Sequence, residues 1–276
     1  AANMIAFFFV LVFFVGASVG SFLNVCIARW PAEQSVVRPR SRCPRCGAGI
    51  AWFDNVPVVS WFVLRAKCRN CGLPISSQYP IVEAVVGLTW VAAVFWFGPG
   101  SIALRVAVFA TILLGIAITD AKHYLIPDGF TVTGLLLGGA ACLVGAYLGV
   151  QDPFASPVDA MFGACVGAGA ITIIGWLGEV ALKKEAMGFG DTTLMAMVGV
   201  ALGPGRALLT IFVGALFAAA AFLLVVYPVG LVRARARGER FEVPLVPFGV
   251  FLAPAAMFTL LFGSSLIGWY IDRVIG

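Results

Sequence analysis

The chain has 276 residues, of which 61% are hydrophobic and 11% are charged, with a net charge of +5. A soluble globular domain carries about 45–50% apolar and about 25% charged residues. This composition excludes a soluble globular protein, a disordered chain and a nucleic-acid-binding module, and it indicates a protein that crosses a lipid bilayer several times.

Long apolar runs follow one another along the sequence, and a membrane span needs roughly 20 such residues. We interpret the first run, residues 4–28, as a true span, because a signal peptide would carry basic residues before its apolar stretch. Seven further runs follow at 81–97, 102–119, 129–150, 158–182, 192–202, 207–232 and 246–270. The chain is therefore predicted to be an all-α polytopic membrane protein with about eight transmembrane helices, the sixth of them short.

The basic residues are distributed unevenly between the two ends of these spans. With the N-terminus outside, 15 of the 18 Lys and Arg residues lie in inside segments, and only Arg105, Arg206 and Arg273 lie outside. Because basic residues accumulate on the cytoplasmic side, this orientation is favoured. A basic run at residues 233–237 is either a contact with anionic head groups or a solvated loop.

This orientation suggests three parts of the chain. Residues 1–29 form the first transmembrane span, residues 30–80 form a small cytoplasmic segment between spans 1 and 2, and residues 81–276 form a seven-span membrane core.

Four cysteines of the cytoplasmic segment have the spacing of a zinc site. Two Cys-x-x-Cys-Gly turns contain Cys43 and Cys46, then Cys68 and Cys71, with 21 residues between the pairs. Four thiolates in a tetrahedron suit Zn²⁺ and leave no open coordination position, which predicts a structural metal. Each following glycine lets the backbone fold back so that its amides point at sulfur. Disulfides and free thiols are the alternatives, and a reducing cytoplasm disfavours the disulfides.

Two acids lie beside apolar runs, where ionisable side chains are costly and are functional candidates. Asp120 ends the third span, and Asp191 follows Gly188-Phe-Gly190 at the start of the sixth. The predicted topology puts both at the cytoplasmic ends of their spans. Two carboxyl groups that share a proton can divide the work of a peptidase, since one activates water while the other polarises a peptide carbonyl. Gly188 and Gly190, having no Cβ, let a substrate strand approach.

Simpler interpretations stay open for each of these residues. Asp120 alone could be a solvated helix end, and Asp191 alone could be the N-cap of the sixth helix. Asp128 follows Pro127 and is interpreted as a cap of the fourth span. His123, the one histidine, is interpreted as a helix-end residue near lipid head groups.

Taken together, several motifs resemble one family. The stretches are Gly20-Ser-Phe-Leu-Asn-Val25, Cys43-Pro-Arg-Cys46, Trp52-Phe-Asp-Asn-Val-Pro57, Ser60-Trp61, Cys68-Arg-Asn-Cys71, Tyr79-Pro-Ile-Val-Glu83, Asp120, Ile126-Pro-Asp128, Gly188-Phe-Gly-Asp191, Pro247-Phe-Gly249 and Phe251-Leu-Ala253. In this order they resemble the bacterial type IV prepilin peptidases, which belong to the Gly-x-Gly-Asp class of intramembrane aspartyl proteases.

The resemblance implies an activity and a place in the cell. Such enzymes remove the leader of type IV prepilins or type II secretion pseudopilins, after a glycine and on the cytoplasmic side of the bacterial inner membrane. Their catalytic aspartates map onto Asp120 and Asp191. Many members with a Cys₄ segment also methylate the new N-terminus with S-adenosylmethionine, although the motifs do not identify the residues that bind this methyl donor.

The sequence departs from the family pattern at two positions. Thr193 stands where the family usually has a lysine two residues after the second aspartate, and Val250 stands where a proline is common. A cation transporter with the two acids along an ion path is the alternative function, and a non-catalytic zinc adaptor is a third. Transporter sites usually lie near the bilayer midplane, whereas these acids are predicted at span ends.

Overall fold

The computed structural model describes residues 2–150, 152–183, 187–238 and 246–275. These residues form α-helices and short turns, and within them no strand forms beyond two isolated bridges. The helices are α1 (Ala2–Arg29), α2 (Val59–Val63), α3 (Gln78–Phe97), α4 (Ser101–His123), α5 (Asp128–Leu148), α6 (Pro157–Leu182), α7 (Phe189–Leu202), α8 (Pro204–Ala221), α9 (Tyr227–Arg237) and α10 (Gly249–Tyr270).

Seven helical runs of the described chain are long and apolar enough to cross a membrane. They comprise α1, α3, α4, α5, α6, the run from α8 into α9 through a π-helical turn at Phe222–Val226, and α10. The eighth apolar helix, α7, has 14 residues and is about 21 Å long, less than the roughly 30 Å of hydrocarbon. The predicted all-α polytopic fold is confirmed, with α7 as the predicted short sixth helix.

A glycine and a proline form the turn between α7 and α8. Gly203 has a φ of 81°, a conformation that L side chains rarely adopt, and Pro204 begins α8 at once. The chain therefore reverses immediately after α7.

Contacts divide the chain into two compact units, residues 1–115 and 116–276, with the boundary inside α4. In the first unit, α1 packs along α3, and the approach is close because glycines face the partner helix. A Cβ on Gly20 would lie 2.9 Å from the Cα of Glu83, and one on Gly16 would lie 2.7 Å from the Trp90 ring. Small residues that let backbones approach are a usual means of helix association within a bilayer.

In the second unit, α7 is the most buried helix. Leu194, Met195, Met197 and Val198 have no exposed surface. A Cβ on Gly163 of α6 would overlap the carbonyl group of Gly199 on α7, and a Cβ on Gly199 would overlap that of Gly163. The backbones of α6 and α7 are thus in direct contact, so the position of α7 depends on these two glycines.

Candidate active site and metal centre

Asp120 and Asp191 are 71 residues apart in the sequence and come together within the second unit. Asp120 is in the last turn of α4 and is 5% exposed, and Asp191 is in the first turn of α7 and is partly buried. The two carboxyl groups are close enough to interact electrostatically. A buried acid and a partly buried acid in such proximity form a pair able to share a proton.

The Asp120 carboxylate is oriented by the N-terminus of α10. The backbone N–H groups of Gly249 and Val250 donate hydrogen bonds to it, and the bond from Val250 to Oδ2 measures 3.1 Å. A Cβ on Gly249 would lie 2.8 Å from the same oxygen, so this approach requires glycine. The positive end of a helix dipole is a suitable place for a carboxylate.

Asp191 is the third residue of α7 rather than its N-cap, so the N-cap interpretation is wrong. Gly188 is the N-cap, and its backbone N–H donates to the Asp191 carboxylate. An acid at the third helical position commonly reaches back to the N-cap in this way, because helix N-termini leave donors without intrahelical partners. The Gly-x-Gly segment therefore orients Asp191 through its backbone.

Ile126 connects the surroundings of the two aspartates. Ile126 is buried, and its side chain packs against two glycines. If Gly190 or Gly249 carried a Cβ, that atom would lie only 2.9 Å from the Ile126 side chain. Two glycines on two different helices thus make space for one isoleucine. The sequence contained this signal in the Ile-Pro-Asp and Pro-Phe-Gly motifs, but pattern alone assigned no contact to either.

The other residues that the sequence analysis singled out lie at helix ends or close to Asp191 along α7. Asp128 is exposed and is the first residue of α5, where Pro127 occupies the N-cap position, so Asp128 is not the predicted cap. It still places a negative charge in the first helical turn, which suits the dipole. His123 is the exposed last residue of α4, in agreement with the predicted helix-end position. The Thr193 hydroxyl donates to the Gly190 carbonyl at 3.0 Å.

In the first unit, Cys43, Cys46, Cys68 and Cys71 form one cluster. Their Sγ atoms all lie within 4.8 Å of one another, and those of Cys43 and Cys71 are 4.0 Å apart. Four sulfurs around a tetrahedral zinc at about 2.3 Å would be separated by about 3.8 Å. None of the four cysteines is in a disulfide, and their sulfur atoms are close enough together to hold one metal ion.

The two cysteine pairs are held by two equivalent turns. The N–H of Gly47 donates to the Cys43 carbonyl, and that of Gly72 donates to the Cys68 carbonyl, both at 2.9 Å. Gly47 and Gly72 have φ values of 71° and 68°, which favour glycine. The predicted role of the glycine after each pair is confirmed.

Hydrogen bonds to sulfur favour ionised thiols in part of the cluster. The pKa of Cys46 is lowered to about 6, first by the Asn70 amide and then by the Ala48 backbone N–H. The pKa of Cys68 is lowered by the backbone N–H groups of Cys71 and Asn70. The backbone N–H of Leu73 favours the Cys71 thiolate, but burial and the neighbouring thiols outweigh it and raise the pKa of Cys71 to about 11. A divalent cation would offset the repulsion that disfavours a further thiolate.

The cluster is anchored to its surroundings by residues of the family motifs. Arg69 forms a bidentate pair with Asp54, at 2.7 and 2.6 Å, and lies over the Phe53 ring. Arg69 also lowers the pKa of Asp54 through these hydrogen bonds, so the pair stays charged at lower pH than an ordinary aspartate would allow. The planar guanidinium matches a carboxylate in a way that lysine does not.

Glu83 ends one of the family motifs, but the sequence reasoning gave it no role of its own. It is buried on α3 and accepts a 2.7 Å hydrogen bond from the N–H of Val58, whose φ of 63° is rare for a β-branched residue. The side chain of Ser21 on α1 also donates to it. The Tyr-Pro-Ile-Val-Glu motif thereby holds a strained turn against the α1–α3 pair.

Comparison with known proteins identifies the family. Residues 14–97 match the bacterial peptidase A24 N-terminal domain, and residues 107–224 match the type IV leader peptidase family. The prepilin leader peptidase/N-methyltransferase of Aeromonas hydrophila is 34% identical over 97% of this chain and 95% of its own length. The chain belongs to the type IV leader peptidase family. The resemblance inferred from the motifs is thus confirmed.

Other members of the type IV leader peptidase family carry the same description. The prepilin leader peptidase/N-methyltransferase of Pseudomonas aeruginosa is 33% identical over 94% of this chain and 91% of its own length. That of Myxococcus xanthus is 44% identical over 71% of this chain, and the match spans 56% of the relative's length. No solved structure matches the chain. The alternative function, a cation transporter, is not supported by these relatives.

Proposed function

We propose that the chain removes the leader peptide from type IV prepilins or type II secretion pseudopilins, with Asp120 and Asp191 as its catalytic pair. The observation that carries the proposal is the convergence of these two acids at one partly buried site in a member of the leader peptidase family. Separate backbone donors orient each carboxyl group, at the N-terminus of α10 and at Gly188. The pair is therefore preorganised before substrate binds.

The chemistry follows from a pair in which one carboxyl is ionised and the other protonated. The ionised group takes a proton from a water molecule, and the water oxygen attacks the carbonyl carbon of the leader's last glycine. The protonated group donates to the carbonyl oxygen. Collapse of the tetrahedral intermediate breaks the C–N bond, and the departing amine receives a proton from the pair. Gly188 and Gly190 keep the backbone beside Asp191 open to an extended substrate.

The Cys₄ cluster is proposed to bind one structural zinc ion, because four sulfurs in near-tetrahedral separation offer no open position for catalysis. When bound, zinc would crosslink two turns of a segment that has few core-forming side chains. The relatives' names include N-methyltransferase, and we propose that this chain also methylates the new N-terminus with S-adenosylmethionine as the methyl donor.

The chain is further proposed to lie in the bacterial inner membrane with its N-terminus outside and both sites facing the cytoplasm. The 15-to-3 distribution of basic residues supports this orientation. An impermeant thiol reagent should label the cysteines of residues 30–80 only after the membrane is opened and the metal removed. Labelling in intact cells would reverse the proposed orientation.

A single assay tests both proposed activities. The pure protein is incubated with a prepilin and S-adenosylmethionine, and mass spectrometry reports the loss of the leader and the added methyl group. Cleavage followed by a mass increase of one methyl supports both activities. Cleavage without methylation supports the peptidase alone, and an intact prepilin contradicts the proposal.

A further inference from the structure

A groove of about 320 Å³ lies in the first unit, beside the last two turns of α1. One wall is α1 itself, through Phe22, Val25 and Arg29, and the other is the polar segment that follows, through Val37, Arg40 and Trp52. None of the residues that line the groove belongs to the cysteine cluster or to the aspartate pair.

One half of the groove is apolar and unusually exposed. Phe22 is 53% exposed, Val37 is 77% exposed and Trp52 is 83% exposed. Phe22 and Val25 belong to a helix that is long and apolar enough to cross a membrane, so hydrocarbon is the expected neighbour of this half. Trp52, in the polar segment, is of the residue type that concentrates at the boundary between hydrocarbon and head groups.

The other half of the groove carries positive charge. Arg29 and Arg40 line it, and among the described lining residues none is acidic. One guanidinium nitrogen of Arg29 donates to the Ser35 carbonyl at 2.9 Å, which uses one of the five donors of that group. Two guanidinium groups without an opposing carboxylate suit a phosphate.

We propose that this groove binds one anionic phospholipid. Its phosphate lies between Arg29 and Arg40, its acyl chains follow Phe22 and Val25 into the bilayer, and Trp52 packs at the level of the head group. Charge complementarity selects an anion, and continuity with α1 selects one that carries acyl chains. S-adenosylmethionine fits poorly, because its sulfonium cation would face two arginines. The bound lipid would hold residues 36–55 against the end of α1.

The inference is independent of the proposed peptidase activity and is tested by lipid binding. The full-length protein is placed in phosphatidylcholine nanodiscs with increasing amounts of phosphatidylglycerol, and native mass spectrometry counts the lipids that it retains. The double variant Arg29→Gln/Arg40→Gln should bind phosphatidylglycerol at least about tenfold more weakly, since each basic residue near a membrane surface contributes on the order of 1 kcal/mol. The matched control is Arg38→Gln/Arg65→Gln, which removes the same charge from exposed residues outside the described lining. The control should bind as the parent does.

A second measurement reports on the apolar half. Phosphatidylglycerol with brominated acyl chains should quench part of the tryptophan fluorescence, and Trp52→Phe should remove that quenched part. Unchanged binding in the Arg29→Gln/Arg40→Gln protein, or equal loss in the control, would overturn the proposal. So would displacement of the lipid by glycerol 3-phosphate, which would indicate a site for soluble anions, or by S-adenosylmethionine, which would indicate a methyl-donor site.

Discussion

The cysteine cluster of the first unit and the acid pair of the second are assembled over very different distances along the chain. Each cysteine pair is closed within a turn of five residues by a glycine in the left-handed conformation, and the second turn repeats the bonds of the first. Asp120 and Asp191 come from two helices, and α10 supplies the donors to Asp120. A cluster built from local turns can be predicted from sequence, whereas a pair built by helix packing depends on contacts between residues far apart in the chain.

The largest effect is expected from removing either acid. Asp120→Asn and Asp191→Asn should each lower prepilin cleavage by roughly 10³-fold or more, because an amide cannot ionise or act as a base. The double variant should be no worse than the single ones, since residues that act as one unit are not additive. Metal content should be unchanged, which would separate the two sites functionally.

Asp128→Asn is the matched control for that experiment, because Asp128 is exposed and lies outside the pair. It should keep substantial activity. An inactive Asp128→Asn protein together with an active Asp120→Asn protein would assign the partner of Asp191 to Asp128 instead.

The cleavage rate of the parent protein should fall at both low and high pH, because the pair needs one protonated and one ionised carboxyl.

Loss of a single sulfur should abolish metal binding at the other site. Cys43→Ser and Cys71→Ser are each expected to lose bound zinc, because a structural site of this size folds and binds metal as one event. Cys165→Ser, an exposed cysteine of α6, is the control and should keep one zinc per chain. We expect methylation to fall further than cleavage, since the acids belong to the other unit. Full metal content in Cys71→Ser, measured by elemental analysis, would rule out the four-sulfur site.

A smaller effect should come from the contact that positions α7. Gly163→Ala and Gly199→Ala each place a methyl group against a backbone carbonyl of the facing helix, so α6 and α7 must separate. We expect a loss of about 1–3 kcal/mol in stability, together with slower cleavage because Asp191 moves with its helix. Gly169→Ala, also on α6, is the control, because the added methyl group would have no described atom within 4 Å. Thermal unfolding and cleavage rates of the three variants check this, and equal behaviour of all three would show that the close approach is unimportant.

The smallest effect should come from the anchor of the cysteine cluster. Arg69→Lys keeps the charge but loses the bidentate geometry to Asp54, so zinc affinity should fall by less than about tenfold. Arg65→Lys, at an exposed arginine of the same segment, should leave the affinity unchanged. Competition with a chelator measures both, and an effect as large as that of a lost cysteine would make Arg69 part of the metal centre itself.

The sequence alone was enough to predict the all-α membrane class, the long apolar helices and the four cysteines that cluster together. Apolar runs of about 20 residues have few alternatives to a membrane helix, because every backbone polar group must be satisfied within the bilayer. The Cys-x-x-Cys-Gly turns are local, so their geometry follows from five residues at a time. The family motifs pointed to both aspartates, but they did not say what holds them.

Tertiary structure alone decided how Asp120 and Asp191 meet. The donors to Asp120 come from residues 249 and 250, about 130 residues further along the chain. The side chain of Ile126 packs against both Gly190 and Gly249. The N-cap of α7 also proved to be Gly188 rather than Asp191. Close-packed helices leave little room for their backbone groups to shift, so each donor must lie at one position in the packed structure. The spacing of residues along the chain does not specify that position.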